Sequence, residues 1–179
     1  NFAQGGIATV WDVEVDNFEK HIADTLDAGD GLCDKEVVEI VVESAPQRVR
    51  ELIEWGANFD KTKSGEYDLG REGGHTENRI LHYKDITGRE IQRTVVEKAA
   101  QYPNIEVLEH YFAIDIITQH HLGYNISRLT PDIECYGVYA LDRKTNEIRT
   151  FLAKTTVLAS GGAGQVYQST TNPLVATGD

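Results

Sequence analysis

Through the first hundred residues the apolar positions recur at helical spacing. Phe18, Ile22 and Leu26 share one face, Asp16 followed by Glu19 has the form of a capping box, and Gly29 supplies a stop. A second helix is predicted behind Asp34, carrying Val37, Val38, Val41 and Val42. The segment Ser44-Ala45-Pro46-Gln47 is expected to separate it from a third, which buries Val49, Leu52 and Ile53 and ends at Gly56. Residues 60–90 are polar, glycine-punctuated and without period, which predicts a long irregular stretch of the functional or mobile kind. A fourth helix runs from about Arg89 to Tyr102 and is stopped by Pro103-Asn104.

From Ile105 the pattern changes to strands. "IEVLEH" at 105–110 and "FAIDIIT" at 112–118 are apolar and rich in β-branched residues. Residues 133–153 read as a hairpin with its turn at Arg143-Lys144-Thr145-Asn146. "TTVLAS" at 155–160 has the form of a short strand buried in a parallel sheet, and it leads directly into "GGAGQVYQSTTNP". Consecutive glycines behind a strand let backbone N–H groups approach a ligand at the carboxyl end of a sheet. This order of elements gives an α/β class and suits a nucleotide pyrophosphate; an ordinary Gly-rich loop is the alternative.

Composition narrows the function classes. With 179 residues, 40% of them hydrophobic and 26% charged, the chain is an ordinary globular one with enough length for a sizeable core. A net charge of −12 argues against nucleic-acid binding, which needs clustered Lys and Arg. No apolar run is long enough for a membrane span. Cys33 and Cys135 are isolated, which favours a reduced, cytoplasmic setting and disfavours a zinc site. The chain opens without Met on "NFAQGGIATVW" and closes on "ATGD", both with the look of binding loops, and no G-x-G-x-x-G follows a strand. The expectation is a piece of a longer protein: one partial nucleotide-binding domain over residues 1–179 that lacks the first βαβ unit.

"AQGGI" at 3–7, "REGGHT" at 71–76, "TGRE" at 87–90 and "VLASGGAGQVYQSTTNP" at 157–173 occur in that order. The chain thereby resembles the flavoprotein family of succinate dehydrogenase, fumarate reductase and L-aspartate oxidase over essentially its whole length. "DTLDAGDGLCD" at 24–34 and "REGGHTENRILH" at 71–82 are similar to the L-aspartate oxidase branch. The succinate-oxidising members carry R-P-F-G-G where this chain has Arg71-Glu72-Gly73-Gly74.

The resemblance implies a Rossmann-like FAD-binding domain with helices and an inserted antiparallel β-meander, and FAD as cofactor. It places Asn1, Phe2, Ala3, Gln4, Gly5 and Gly6 along the flavin ring and ribityl chain, where a Cβ would collide with the ring. The bland reading of Gly5 and Gly6 is an ordinary turn before a strand over Ile7–Val10. Gly161 and Gly162 are implied near the adenosine half, with Ala113 offering its backbone to adenine; a plain strand residue is the alternative for Ala113. Asp179 matches the Asp of the family's G-D-G motif. Half the dinucleotide cradle is expected to lie elsewhere, so the chain by itself is expected to hold FAD poorly and to be inactive.

The implied activity of the whole protein is oxidation of L-aspartate to iminoaspartate, by hydride transfer from Cα to the flavin. Electrons pass to oxygen or fumarate, and the product feeds quinolinate and NAD synthesis, with quinolinate synthase as a pathway neighbour. A succinate or fumarate oxidoreductase and a non-catalytic FAD-family interaction domain are the alternatives. Glu72 is the candidate partner for the substrate ammonium group; a solvated loop residue bridging to Arg71 is the plainer reading. His75 either reaches substrate or braces its loop by hydrogen bonding. Arg71 and Arg79 read as ion-paired or loop-bracing. His21 is expected to face solvent, and His110, His120 and His121 show no metal spacing.

Overall fold

A computed structural model describes residues 5–178. The chain divides into two compact units, residues 1–105 and 106–179.

The first unit holds three helices and a small sheet. Helix α1 (Phe18–Ala28) starts at Asn17, whose side chain accepts from the Lys20 N–H at 2.8 Å. The cap is therefore one residue later than the sequence pattern predicts, because Asp16 is taken up by a buried ion pair described below. Helix α2 (Lys35–Glu54) is capped by Asp34 as expected, but it runs unbroken for 20 residues through Pro46. Proline there removes one helical donor and crowds the preceding turn. The helix continues because Val42, Pro46 and Val49 fall on one face and are all buried. Tertiary packing outweighs the local break. Helix α3 (Thr87–Ala99) has Thr87, Glu90 and Thr94 on its buried face.

Residues 60–90 are less irregular than their composition suggests. Strands β2 (Leu69–Gly70) and β3 (Ile80–Leu81) lie in this stretch, and β3 pairs antiparallel with both β2 and β1 (Ile7–Ala8). Leu81, fully buried, joins Val49, Ala57 and Phe59 in the core, with Ile7, Trp11, Leu52 and Tyr67 packed against them. Tyr67 meets Trp11 edge-to-face, ring centroids 5.2 Å apart. Strand signals were missed here because each strand is only two residues long, too short for a period to show.

The second unit is an antiparallel meander of β4 (Tyr111–Thr118), β5 (Cys135–Asp142) and β6 (Glu147–Leu152), ordered β4-β5-β6. The hairpin turn falls at 143–146, as its polar residues predict, with Asn146 in the left-handed region at φ 59°. Gly137 is a required glycine, since its φ is 149° and a Cβ would overlap the Phe151 carbonyl oxygen. Two expected strands do not form. Residues 105–108 are irregular, and 155–160 have no strand and no pairing partner among the described residues. Val157 and Leu158 are accordingly 81% and 72% exposed. A buried parallel strand needs neighbours on both sides, and the described residues offer none.

Candidate functional site

The loop over residues 71–76 is built on a buried ion-pair cluster. Arg79 is completely buried, and its Nε and Nη2 donate to the two carboxylate oxygens of Asp16 at 2.9 and 2.8 Å. Its Nη1 donates to Oδ2 of Asp24 at 2.5 Å. The same Oδ2 accepts from the backbone N–H and the hydroxyl of Thr76, at 2.8 and 2.9 Å. Burial opposes ionisation of Asp24, but the hydrogen bonds from Thr76 and Arg79 outweigh it and hold its carboxyl below the ordinary range. Lys20 on α1 reaches Glu77 at 2.6 Å and adds a second tie just beyond the loop. Arg79 is thus ion-paired, as its sequence context suggests.

Within the loop, the His75 N–H donates to the Glu72 carbonyl at 3.2 Å, closing a tight turn over Gly73-Gly74. Gly74 sits at φ 89°, a conformation that glycine adopts without cost. Glu72 is exposed, and its carboxylate has no ion-pair partner among the described residues. The bridge to Arg71 is absent. Instead the Glu72 carboxylate lies against Gly5: a Cβ built on Gly5 would stand 2.8 Å from its Oε1. The structure therefore brings together two segments that are 67 positions apart in sequence and that the motifs assign to flavin and substrate, respectively.

His75 turns toward α1. Its ring meets His21 edge-to-face at 6.1 Å, and Nδ1 of each ring is buried without a hydrogen-bond partner among the described residues. His21 is only 6% exposed, so its expected solvent-facing position is corrected. Burial, then the nearby Arg79 and His75, lower its pKa and keep the ring neutral. His75 from the 71–76 loop packs against His21 on this side of α1.

Gly6 is a glycine for reasons internal to the fold. A Cβ there would overlap the Leu81 carbonyl oxygen and Ile80 Cγ2, so the close approach of β1 to β3 demands it. The other glycine pair behaves differently. Gly161 has φ 83°, whereas Gly162 has no such backbone need, and a Cβ on either would meet nothing within 4 Å. Ala113 lies on β4, an edge strand of the meander, opposite Ala140 and next to an irregularity at Ile114. Asn1, Phe2, Ala3, Gln4 and Asp179 lie outside the described residues. A concavity of about 630 Å³ opens on the meander and is lined in part by Ile117, His121, Tyr139 and Leu152. None of the sequence-predicted site residues lines it.

The family model described as an FAD binding domain matches residues 1–179. This chain belongs to that family. Among curated proteins it is 50% identical over 179 residues to an L-aspartate oxidase, chloroplastic, of Arabidopsis thaliana, covering 100% of this chain and 26% of that protein. It is 47% identical over 182 residues to an L-aspartate oxidase of Yersinia pestis, covering 99% of this chain and 33% of that protein. Among solved structures, the quinol fumarate reductase of E. coli superposes with a TM-score of 0.86 at 28% identity, over 98% of this chain and 28% of that one. The chain spans about a quarter to a third of the length of the curated relatives it matches. Its helices and antiparallel meander are those of the FAD-binding flavoprotein domain, as the motifs imply.

The residues present fit the family's cofactor. Gly162 needs to be glycine neither for its backbone angle nor for the chain's own packing, and open space beside it leaves room for a ligand to approach the backbone. At Gly5 the nearest atoms among the described residues are the movable end of the Glu72 side chain. Among the described residues no group of three or more His, Cys, Asp or Glu is placed to hold a metal ion. No helix among them is long and apolar enough to cross a membrane. Sequence reasoning missed the Asp16–Arg79–Asp24 cluster as the support of the site. The only signal was an acidic residue before α1 and another two turns along it, which reads equally well as a cap and a solvated face.

Proposed function

We propose that this chain supplies the flavin-facing and substrate-facing loops of an FAD-dependent oxidase that converts L-aspartate to iminoaspartate. The reading is carried by one observation, the Glu72 carboxylate lying against Gly5 of the opening loop. An amino-acid substrate differs from succinate by an α-ammonium group, and a carboxylate beside the flavin loop rewards that charge. The L-aspartate oxidase names of the curated relatives support the same assignment.

In this reading Asn1 to Gly6 run along the flavin, Gly161 and Gly162 admit the adenosine half, Ala113 offers its edge-strand backbone to adenine, and Asp179 contacts the cofactor. FAD, when bound, supplies the two-electron acceptor, and oxygen or fumarate then takes the electrons. Glu72 orients the substrate by its ammonium group, which must lose a proton as the Cα–H bond breaks. His75, packed on His21, holds the turn that carries Glu72. The product feeds quinolinate and NAD synthesis in a cytoplasmic setting, with quinolinate synthase next in line.

The test is Glu72→Gln in the complete flavoprotein. Loss of a charged partner from a desolvated pair costs about 2–5 kcal/mol, so kcat/KM for L-aspartate should fall by roughly 30-fold or more. Activity with succinate or fumarate, which carry no ammonium group, should change far less. Equal losses on both classes would favour a succinate or fumarate oxidoreductase and remove Glu72 from discrimination.

A further inference from the structure

We infer that Asp24 and Thr76 are positioning residues that set substrate selectivity by fixing the loop that presents Glu72. The inference rests on the reading of Glu72 given above. The loop has little packing of its own: a Cβ on Gly73 would meet nothing within 4 Å, and one on Gly74 would only brush the Ala28 side chain at 3.8 Å. Two adjacent glycines leave its backbone free to move unless something outside holds it. Beside the His75 ring packed on His21, the tie from outside is Asp24. One oxygen of that carboxylate takes both donors of Thr76, and Arg79, itself locked between Asp16 and Asp24, keeps the carboxylate in place. Asp24 is 9% exposed and Arg79 is fully buried, so the anchor lies inside the fold, whereas Glu72, Gly73 and Gly74 are exposed.

A hinge of this kind acts through populations. When a loop is binding-competent for only a fraction of the time, apparent affinity drops by that fraction. Removing the Thr76 hydroxyl weakens the tether without touching Glu72 or the glycines; it takes one donor from Asp24 and one acceptor from Arg79, while the Thr76 N–H and the Asp24–Arg79 pairing remain. The chemical step, once substrate is seated, is unaffected. Selectivity for the ammonium-bearing substrate therefore falls through KM while kcat stays close to normal.

The experiment compares Thr76→Val, Thr76→Ser, Glu72→Gln and the Thr76→Val/Glu72→Gln double variant in the complete FAD-loaded flavoprotein. Thr76→Val should raise KM for L-aspartate about fivefold with kcat within about twofold, and leave fumarate reduction unchanged. Thr76→Ser, which keeps the hydroxyl, should restore KM. In the Glu72→Gln background Thr76→Val should add nothing, because its effect runs through Glu72. Amide exchange at residues 73–75 should quicken in Thr76→Val and not in Thr76→Ser, a readout independent of turnover. If Glu72→Gln discriminates between substrates but Thr76→Val does not, or if Thr76→Val adds its full effect in the double variant, the positioning role is overturned while the reading of Glu72 stands. If Glu72→Gln does not discriminate, both fall together.

Discussion

Replacing Arg79 by Met leaves two carboxylates inside the first unit without their cation. Asp16 is 2% exposed and Asp24 9%, so water does not take over. Neither is stripped entirely: the Asn17 N–H still donates to Oδ1 of Asp16, and both Thr76 donors still reach Asp24. Breaking a buried pair by removing one partner costs about 3–5 kcal/mol, and these remaining donors place Arg79→Met near the middle, at about 4 kcal/mol. That is a large share of the roughly 5–15 kcal/mol that stabilises a domain. Both tryptophans, Trp11 and Trp55, lie in the first unit, so urea unfolding followed by tryptophan fluorescence reports on this unit alone. The penalty should also depend on pH with a definite sign. Asp24 has its carboxyl held below its ordinary value of 3.8, so the stability it contributes is present above that pH and is lost as the pH falls further. The gap between Arg79→Met and the parent should therefore be widest near neutrality and narrow in acid, and changing Asp16 and Asp24 to Asn as well should recover at least half of it. A loss below about 1 kcal/mol at neutral pH, or one that did not narrow in acid, would refute the argument that uncompensated buried charge is the cause.

Glu90 accepts from Arg93 and from the backbone and side chain of Asn58, and these bonds, Arg93 first, lower its pKa from 4.5 to about 2 against the opposing effect of burial. Its contribution is present above pH 4.5 and lost as the pH falls toward 2. Glu90→Gln should accordingly cost about 2 kcal/mol at neutral pH, discounted for the partly exposed Arg93, and nothing near the acid limit, as urea titrations across pH will show. Gly5 and Gly6 should separate: Gly6→Ala drives a methyl into Leu81 and should destabilise the first unit by about 1–3 kcal/mol in thermal melts. Gly5→Ala meets the movable Glu72 carboxylate first among the described residues, so it should leave the melting temperature nearly unchanged and raise KM for L-aspartate in the complete flavoprotein.

What the sequence by itself determined is local in origin. The apolar period of α1, the Asp34 cap of α2, and the polar turn at 143–146 between β5 and β6 are all set by residues within a few positions of one another, and all form. The ordered motifs carried the FAD-binding family in the same way, and they pointed to Glu72 before any geometry was known. Tertiary structure decided what depends on distant partners. Pro46 stays inside α2 because the face it shares with Val42 and Val49 is buried, a gain that no local rule contains. Asp16 turns from a cap into a counter-ion because Arg79, 63 positions away, reaches it, and the same cluster pulls a loop over His21. The approach of Glu72 to Gly5 belongs to this second class. Helical period and turn chemistry are written in neighbouring residues, whereas burial, charge pairing and the meeting of two loops exist only once the chain has closed on itself.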